Sequence, residues 1–362
     1  MSSLARRARR HLQRARSLVL GPRFSRLAVV SDEGRWVLDE EAAAIARLAV
    51  ELGIPAHVNF ALSASAAQCC HYTSQFVLLA DDAFRTRQRV SLDFLHGHRG
   101  GDAVFDRLHD SLRRHHDALT RVRVSHRAME DAVRASGIAA DKVHRIPLGI
   151  DLAQFPLQTA DSRREARRRF DLPESAVVIG SFQKDGVGWG EGFEPKHVKG
   201  PDVFLQAMAA LRPRVGELWV LLTGPARGYV KNGLERLRIP FRHQQVSGPN
   251  AMGPCYQALD AYLVSSRDEG GPKAVLEAMA CGVPLITTRV GQAVDLVVPG
   301  RNGWLVDLED AQGLAAGALQ ALGDQERRDA ILREARATAA ANSYATQRPQ
   351  WAQFFRGYVE GW

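Results

Sequence analysis

Val264-Ser265-Ser266-Arg267-Asp268-Glu269-Gly270-Gly271-Pro272-Lys273-Ala274-Val275-Leu276-Glu277-Ala278-Met279-Ala280-Cys281-Gly282-Val283-Pro284-Leu285-Ile286-Thr287-Thr288 reads as a strand end, an acidic glycine-rich turn, a short helix and a second buried strand. Pro272 suits the first helical position, where an N–H would have no intrahelical partner. Gly282 suits the helix C-terminus, and Pro284 keeps the helix from continuing. A unit of this kind belongs to an α/β domain with a parallel sheet.

The chemistry of the turn follows from its residue types. Gly270 and Gly271 have no Cβ, so a ligand can approach their backbone closely. Backbone N–H groups and the positive end of the helix dipole make the helix start at Pro272-Lys273 an anion site, most often for phosphate. Glu269 precedes the helix and Glu277 lies on its second turn, with seven residues between them. A carboxylate accepts two hydroxyls at once. Two of them flanking an anion site suit a ligand with phosphate in the middle and a polyol at each end, as in a nucleotide-sugar. The competing reading makes Glu277 a solvated helix residue and the glycines a plain turn. Spacing alone leaves both open.

At 362 residues the chain has room for two domains. No apolar run reaches the ~18 residues that a membrane-spanning helix needs. Cys69, Cys70, Cys255 and Cys281 lack zinc-type spacing and are expected to be buried free thiols of a reducing compartment. The formal net charge of +8 is uneven. Arg6, Arg7, Arg9, Arg10, Arg14, Arg16, Arg23 and Arg26 fall in the first 26 residues with no acid among them, leaving 40 basic and 40 acidic groups in the rest. Leu4, Ala8, Leu12, Ala15, Leu18 and Val19 recur there at helical spacing. The arm resembles a basic amphipathic helix able to lie, through residues 1–20, on an anionic membrane surface. A disordered tail, or an arm packed on its own protein, is the alternative. The apolar stretch 17–21 is too short for a signal peptide. No reading motif or aromatic platform accompanies the charge, so nucleic acid is not an expected partner.

Residues 26–31 read as a first strand, 40–52 as a helix closed by Gly53, and 56–59, 75–79 and 89–95 as strands. The last of these runs into His96-Gly97-His98-Arg99-Gly100-Gly101-Asp102. His96 thus sits at a strand's carboxyl end, where ligands of parallel sheets gather. His96, His98 and Asp102 also admit a metal reading, but it needs further ligands and none follow at a recognisable spacing. Residues 102–119 read as a polar helix with His115 and His116 on its surface, and 142–151 as an inter-domain linker. Residues 162–170 read as an arginine-rich helix with a solvated charged face. After the strand 176–181 comes an unusually long loop, 182–200, that carries Gln183, Lys184, Lys196 and Lys199. A glycine-rich loop with spaced lysines between strand and helix is a second phosphate site, although it lacks the Gly-Lys-Ser/Thr ending of a P-loop.

Glu269 to Pro284, with its two glutamates and the run Ala278-Met279-Ala280-Cys281-Gly282-Val283-Pro284, resembles the signature of the retaining GT-B glycosyltransferases of family four. Ile146-Pro147-Leu148-Gly149-Ile150-Asp151 is similar to that family's inter-domain linker, and Val290-Gly291 with 300–306 to the segment that follows. The resemblance is strong over 140–310 and weak before it. It implies a GT-B fold of class α/β, two Rossmann-like domains facing a central cleft. The expected parts are a basic arm (1–23), an acceptor domain (24–147), a nucleotide-sugar domain (148–340) and a C-terminal helix (341–362) packing back on the acceptor domain. It further implies a metal-independent hexosyltransferase that needs no cofactor. Such an enzyme moves sugar from a nucleotide-diphospho-sugar donor to a saccharide or lipid-linked hydroxyl with retention of configuration. The expected setting is cytoplasmic, possible at the inner membrane face, as in cell-envelope polysaccharide assembly.

The resemblance carries over residue by residue. Glu269 would contact hydroxyls of the donor sugar and Glu277 those of the ribose. Gly270 and Gly271 would offer N–H groups to sugar and diphosphate, beside Pro272 and Lys273. Lys199 matches the diphosphate lysine, and His96 the strand-end histidine facing donor sugar and acceptor. Where the family has an arginine after the strand, Gln183 or Lys184 stands here, and either could reach the diphosphate. The family's glycine-rich acceptor loop is Ser31-Asp32-Glu33-Gly34-Arg35-Trp36 here, with one glycine, so acceptor binding does not carry over. On this reading His96, Lys184, Lys199 and Glu269 are catalytic. The rivals are a non-catalytic nucleotide-sugar-binding protein and a metal hydrolase using His96 and His98.

Overall fold

The structure, a computed structural model, describes residues 24–31, 37–59, 69–79, 84, 88–246 and 251–362. The basic arm at 1–23 and the loop at 32–36 lie outside the described residues. Two compact units are present, one running to Gly149 and including Tyr344–Trp362, the other Ile150–Ser343.

The first unit holds β1 (Leu27–Val30), β2 (Ala56–Asn59), β3 (Cys69–Tyr72), β4 (Arg89–Asp93), β5 (Leu119–Val124) and β6 (Val143–Arg145). They form one parallel sheet of order β2-β1-β3-β4-β5-β6. The second holds β7 (Val177–Ser181), β8 (Leu218–Thr223), β9 (Phe241–Gln244), β10 (Ala261–Val264), β11 (Leu285–Thr288) and β12 (Trp304–Val306). Its sheet is parallel too, in the order β12-β11-β10-β7-β8-β9. The α/β class expected from the sequence is the one observed.

Near-continuous apolar strands are what a parallel sheet with both faces covered requires. Successive side chains point to opposite faces. In the second unit Val178 and Tyr262 accordingly join one core, with Val275 and Leu276 of the Lys273–Cys281 helix. Their neighbours Ile179 and Leu263 join the other, with Phe204 and Met208 of the Pro201–Leu211 helix. All four cysteines are buried and free, as expected.

In the first unit a buried charge network fastens the returning C-terminal segment. Arg123 is fully buried and donates to Glu41 at 2.7 Å, Asp93 at 3.1 Å, and the carbonyls of Ile146 and Pro147 at 2.9 and 2.8 Å. Its guanidinium lies 4.9 Å from the Trp351 ring centre, and Tyr344 donates its hydroxyl to Glu41 at 2.8 Å. Trp351, Phe354 and Phe355, on the helix Arg348–Phe355, complete that core. Removing one partner of such a buried set costs far more than a surface pair contributes.

Several local expectations are corrected. Gln75–Leu79 is a 3-10 helix, not a strand, because the Gln75 amide bridges the Leu95 N–H at 2.9 Å and the His96 carbonyl at 2.8 Å. The neighbouring strand is β3, within the unassigned stretch before it. The polar helix ends at Arg114, and Leu119 already opens β5. His115 is half-buried, stacked 4.0 Å from the Phe84 ring, while His116 is exposed. The expected linker contains β6, the edge strand of the first sheet. The arginine-rich helix, Ala160–Arg169, is not wholly solvated. Arg167 is fully buried, donating to the carbonyls of Ala258, Pro173, Glu174 and Ala176 and to the Asp260 carboxylate.

His144 in β6 packs edge-on against Phe354, ring centres 5.1 Å apart. Burial, with Arg121 nearby, pulls its pKa from 6.5 to about 4. The unfolded chain therefore binds a proton that the folded chain refuses, and stability falls as pH drops from 6.5 towards 4. His144→Phe is expected to flatten the pH dependence of the urea midpoint across that window. Superimposable profiles for variant and wild type would contradict this assignment.

Candidate functional site

From β7 the chain continues to β8 and β9 on one side, then crosses to β10, β11 and β12 on the other. Such a switch point opens a crevice beyond the carboxyl ends of the two strands. Two loops of the second unit leave from there, 182–200 after β7 and 265–272 after β10.

The first loop is long but firmly rooted. Fully buried Asp185 pairs with Arg227 through both carboxylate oxygens at 3.0 Å. Arg227 also donates to the Ser181 and Thr223 carbonyls at 2.7 and 2.9 Å. Burial pushes the Asp185 carboxyl up, with Arg227 opposing. The returning arm bonds back from Lys196 N–H to the Asp185 carbonyl at 2.8 Å. Gly228 and Tyr229 N–H groups, opening the Gly228–Arg236 helix, hold the Glu191 and Gly192 carbonyls at 2.6 and 2.9 Å.

The loop ends in a 3-10 turn, His197–Lys199, and in Gly200, whose φ of +60° is left-handed. A Cβ on Gly200 would fall 1.9 Å from the Ser265 carbonyl oxygen, so only glycine lets Lys199 approach the end of β10 this closely. Arg267 locks the two loops together. It pairs with Asp202 at 2.8 and 2.7 Å, with Glu309, and with the His197 carbonyl at 2.7 Å, while its own N–H reaches the Val198 carbonyl at 2.8 Å. Those hydrogen bonds raise the Arg267 pKa and lower that of Asp202.

Lys199 and Glu269 consequently meet in an ion pair, their side chains only 21% and 13% exposed. Ser266 Oγ stands 2.9 Å from Glu269 and 3.1 Å from the Gln183 amide oxygen. Gln183 donates to the Lys199 carbonyl at 2.7 Å and to Ser265 at 3.3 Å. Its amide therefore braces the two loops. Lys184 lies over the exposed Trp189 ring, 4.0 Å from its centre, and desolvation lowers its pKa. Lys196 emerges as a third member of this cationic group. Desolvation and the charges of Lys199 and Lys184 lower its pKa, with Glu269 opposing. Three ammonium groups against one carboxylate leave a positive surplus of the kind a diphosphate neutralises.

Gly270 and Gly271 form the partly buried turn between Glu269 and the Lys273–Cys281 helix. The carbonyls of Glu269 and Gly270 lie against Gly291, where a Cβ would sit 2.4 Å from the Glu269 oxygen. Pro272 is the N-cap rather than the first helical residue, since its ψ of 107° is extended and its carbonyl accepts from Val275 at 3.0 Å. Lys273 opens the helix, and Gly282 closes it in the left-handed conformation at φ +69°. Glu277 is half-buried and accepts from the buried Tyr256 hydroxyl at 2.7 Å. Nothing in the pattern around Tyr256 marked it, because a tyrosine in an apolar run reads as core.

His96 belongs to the first unit. It stands three residues beyond β4, half-buried, its backbone held by Gln75 and its ring edge-on to Phe105 and Phe76 at 5.4 and 6.2 Å. His98 is exposed, and Asp102 caps the Ala103–Arg114 helix through Val104 N–H at 2.9 Å. Among the described residues, no group of three or more His, Cys, Asp or Glu is placed to hold a metal ion.

Gly200→Ala is expected to lower stability by at least about 1–2 kcal/mol, the cost of a left-handed alanine, before the clash with Ser265 is added. Urea unfolding measures it, and a loss below about 0.5 kcal/mol, the usual effect of a neutral surface change, would contradict the close approach.

Residues 195–338 match the family model described as glycosyl transferases group 1. The chain is 31% identical over 222 residues to a D-inositol 3-phosphate glycosyltransferase of Corynebacterium urealyticum, covering 58% of this chain and 49% of that protein. It is 28% identical over 241 residues to the lipopolysaccharide core biosynthesis mannosyltransferase LpsB of Rhizobium meliloti, covering 59% and 65%. The chain thus spans about half the length of the first of these relatives. Among solved structures, Anabaena Alr3699/HepE in complex with UDP superposes with a TM-score of 0.73 at 18% identity, over 92% of this chain and all of that one. Sucrose-phosphate synthase from Thermosynechococcus elongatus gives 0.72 at 17% identity, over 92% and 98%. Residues 195–338, which include Lys196, Lys199, Glu269 and Glu277, are thus similar to the glycosyl transferases group 1, and the fold is the one seen in GT-B structures.

Proposed function

We propose that the protein is a retaining, metal-independent glycosyltransferase that moves a hexosyl group from a nucleoside-diphosphate sugar to an acceptor hydroxyl. The observation that carries this reading is the Lys199–Glu269 pair at the switch point, with Glu277 on the helix that follows. Glu269 would hold sugar hydroxyls and Glu277 the ribose. Lys184, Lys196 and Lys199 would take the diphosphate, with Gly270 and Gly271 of the turn before the Pro272-Lys273 helix start at its side. A structural neighbour is known with UDP and with UDP-glucose, which supports a donor of this class.

In the reaction the acceptor oxygen bonds to the anomeric carbon as the bond from that carbon to the diphosphate oxygen breaks. The diphosphate leaves with the electron pair, and the hydroxyl proton passes to it on the same face. Negative charge grows on the leaving group, and fixed cations close to it lower the barrier. Glu269 is already paired with Lys199 and is assigned to binding, not to nucleophilic attack. His96, at the strand end of the first unit, is assigned to the acceptor side.

Turnover of a nucleotide-sugar by the full chain tests the proposal. Lys199→Ala should lower the rate about 10²–10³-fold, the usual loss of one electrostatic donor. Chelator should leave the wild-type rate unchanged, and the product should keep the donor's anomeric configuration by NMR. Undiminished turnover by Lys199→Ala would overturn the assignment, and donor binding without any turnover would make the chain a binding protein instead.

A further inference from the structure

Tyr256 is fully buried, yet its hydroxyl is aimed at a carboxylate that the ligand has to reach. The phenol lies among rings, 4.9 Å from Phe182, 5.1 Å from Tyr262 and 6.0 Å from Phe155, centre to centre. Those neighbours pack against the ring, which is buried among them. The hydroxyl ends 2.7 Å from Glu277 Oε2. Burial, then the adjacent Glu277 charge, raises the Tyr256 pKa well above its ordinary value, so the group stays a donor at every working pH.

The cluster also links the start of the lysine-bearing loop to the helix that carries Glu277. Tyr262 Oη accepts from Phe182 N–H at 3.0 Å, where the lysine-bearing loop begins. Tyr256 sits on the short Met252–Gln257 helix, and Glu277 on the Lys273–Cys281 helix beside it. A glutamate has three rotatable bonds, and a flexible carboxylate would lose much of its binding energy in being ordered. One buried donor on Oε2 fixes its plane beforehand. A carboxylate offers about four acceptor positions, so one that takes the tyrosine hydroxyl can take ligand hydroxyls as well.

We infer that Tyr256 is a positioning residue that presets the Glu277 carboxylate to accept the ribose hydroxyls, and so makes the site select ribonucleotides over deoxyribonucleotides. The inference rests on the nucleotide-sugar reading above and names the feature that sets its nucleotide selectivity. Its signature is a change in discrimination, which a merely structural tyrosine would not produce.

The test is calorimetric binding of UDP, GDP and ADP, each with its 2′-deoxy counterpart, to the full chain and to Tyr256→Phe. Wild type should prefer the ribose form of the diphosphate it binds by about tenfold or more, as for a hydrogen bond to a charged acceptor. Tyr256→Phe should shrink that preference below about threefold while its affinity for the 2′-deoxy form stays within about twofold of wild type. A variant that keeps the full preference overturns the inference, as does one that weakens on both forms equally. Glu277→Gln provides the second reading should the phenylalanine variant not fold. It too should lose the preference, and full discrimination by Glu277→Gln would overturn the role given to the pair. If wild type binds none of the three diphosphates, the nucleotide reading itself fails, and that result is distinct because no preference then exists to be lost.

Discussion

The ammonium of Lys199 lies against the Glu269 carboxylate where two loops of neighbouring parallel strands converge, and the site of the second unit depends on that meeting. An ion pair of this burial gains little by itself, because desolvation consumes much of the Coulomb attraction. Its place is set by the surrounding contacts. Gly200 lets the backbone pass 265 without a Cβ, Arg267 clamps Asp202, Glu309 and the 197–198 carbonyls, and Gly291 seats the turn after Glu269. The pair is thus a consequence of backbone geometry rather than its cause. A preorganised cation is more useful to a leaving phosphate than one that must be recruited from solvent.

The long loop after β7 follows the same logic. Nineteen residues between strand and helix would normally be mobile, and loops of that length are uncommon unless they serve a ligand. Asp185 and Arg227 bury an ion pair at its root, and backbone bonds to the Gly228–Arg236 helix hold its outer part. What the anchoring delivers is two additional ammonium groups, Lys184 and Lys196, near the first. Where the family pattern has an arginine after the strand, this chain has Gln183 turned inward as a brace and lysines arriving from the insertion.

The strand-turn-helix unit around 264–288 was legible because local chemistry and tertiary role agree there. Gly282 is left-handed where a helix must stop, and Leu285–Thr288 is apolar and β-branched where a strand must be buried on both faces. Legibility failed where a long-range partner decides. The apolar run Gln75–Leu79 has strand composition, but its amide is claimed by the Leu95 and His96 backbone twenty residues away. Arg167 looks like a surface charge until the carbonyls at 173–176 and 258 converge on it. The same limit applies inside the site. Glu269, Glu277 and Lys199 could be singled out as candidates from residue type, spacing and the family resemblance. The bracing by Gln183, the clamp by Arg267 and the hydroxyl of Tyr256 depend on contacts across 16 to 83 residues, for which one sequence holds no periodicity.

The central claim is that the turn from Glu269 to Glu277, with its lysines, is a nucleoside-diphosphate site. A ligand that binds only the folded chain adds stability that grows with the logarithm of its concentration above the dissociation constant. The most direct measurement is thermal unfolding of the full chain against UDP-, GDP- and ADP-sugars, with the matching monophosphates as controls. The account predicts that one diphosphate series, at 100 times its dissociation constant, adds about 2.7 kcal/mol while its monophosphate adds far less at the same concentration. No stabilisation by any of the diphosphates at millimolar concentration, or equal stabilisation by mono- and diphosphates, would contradict it.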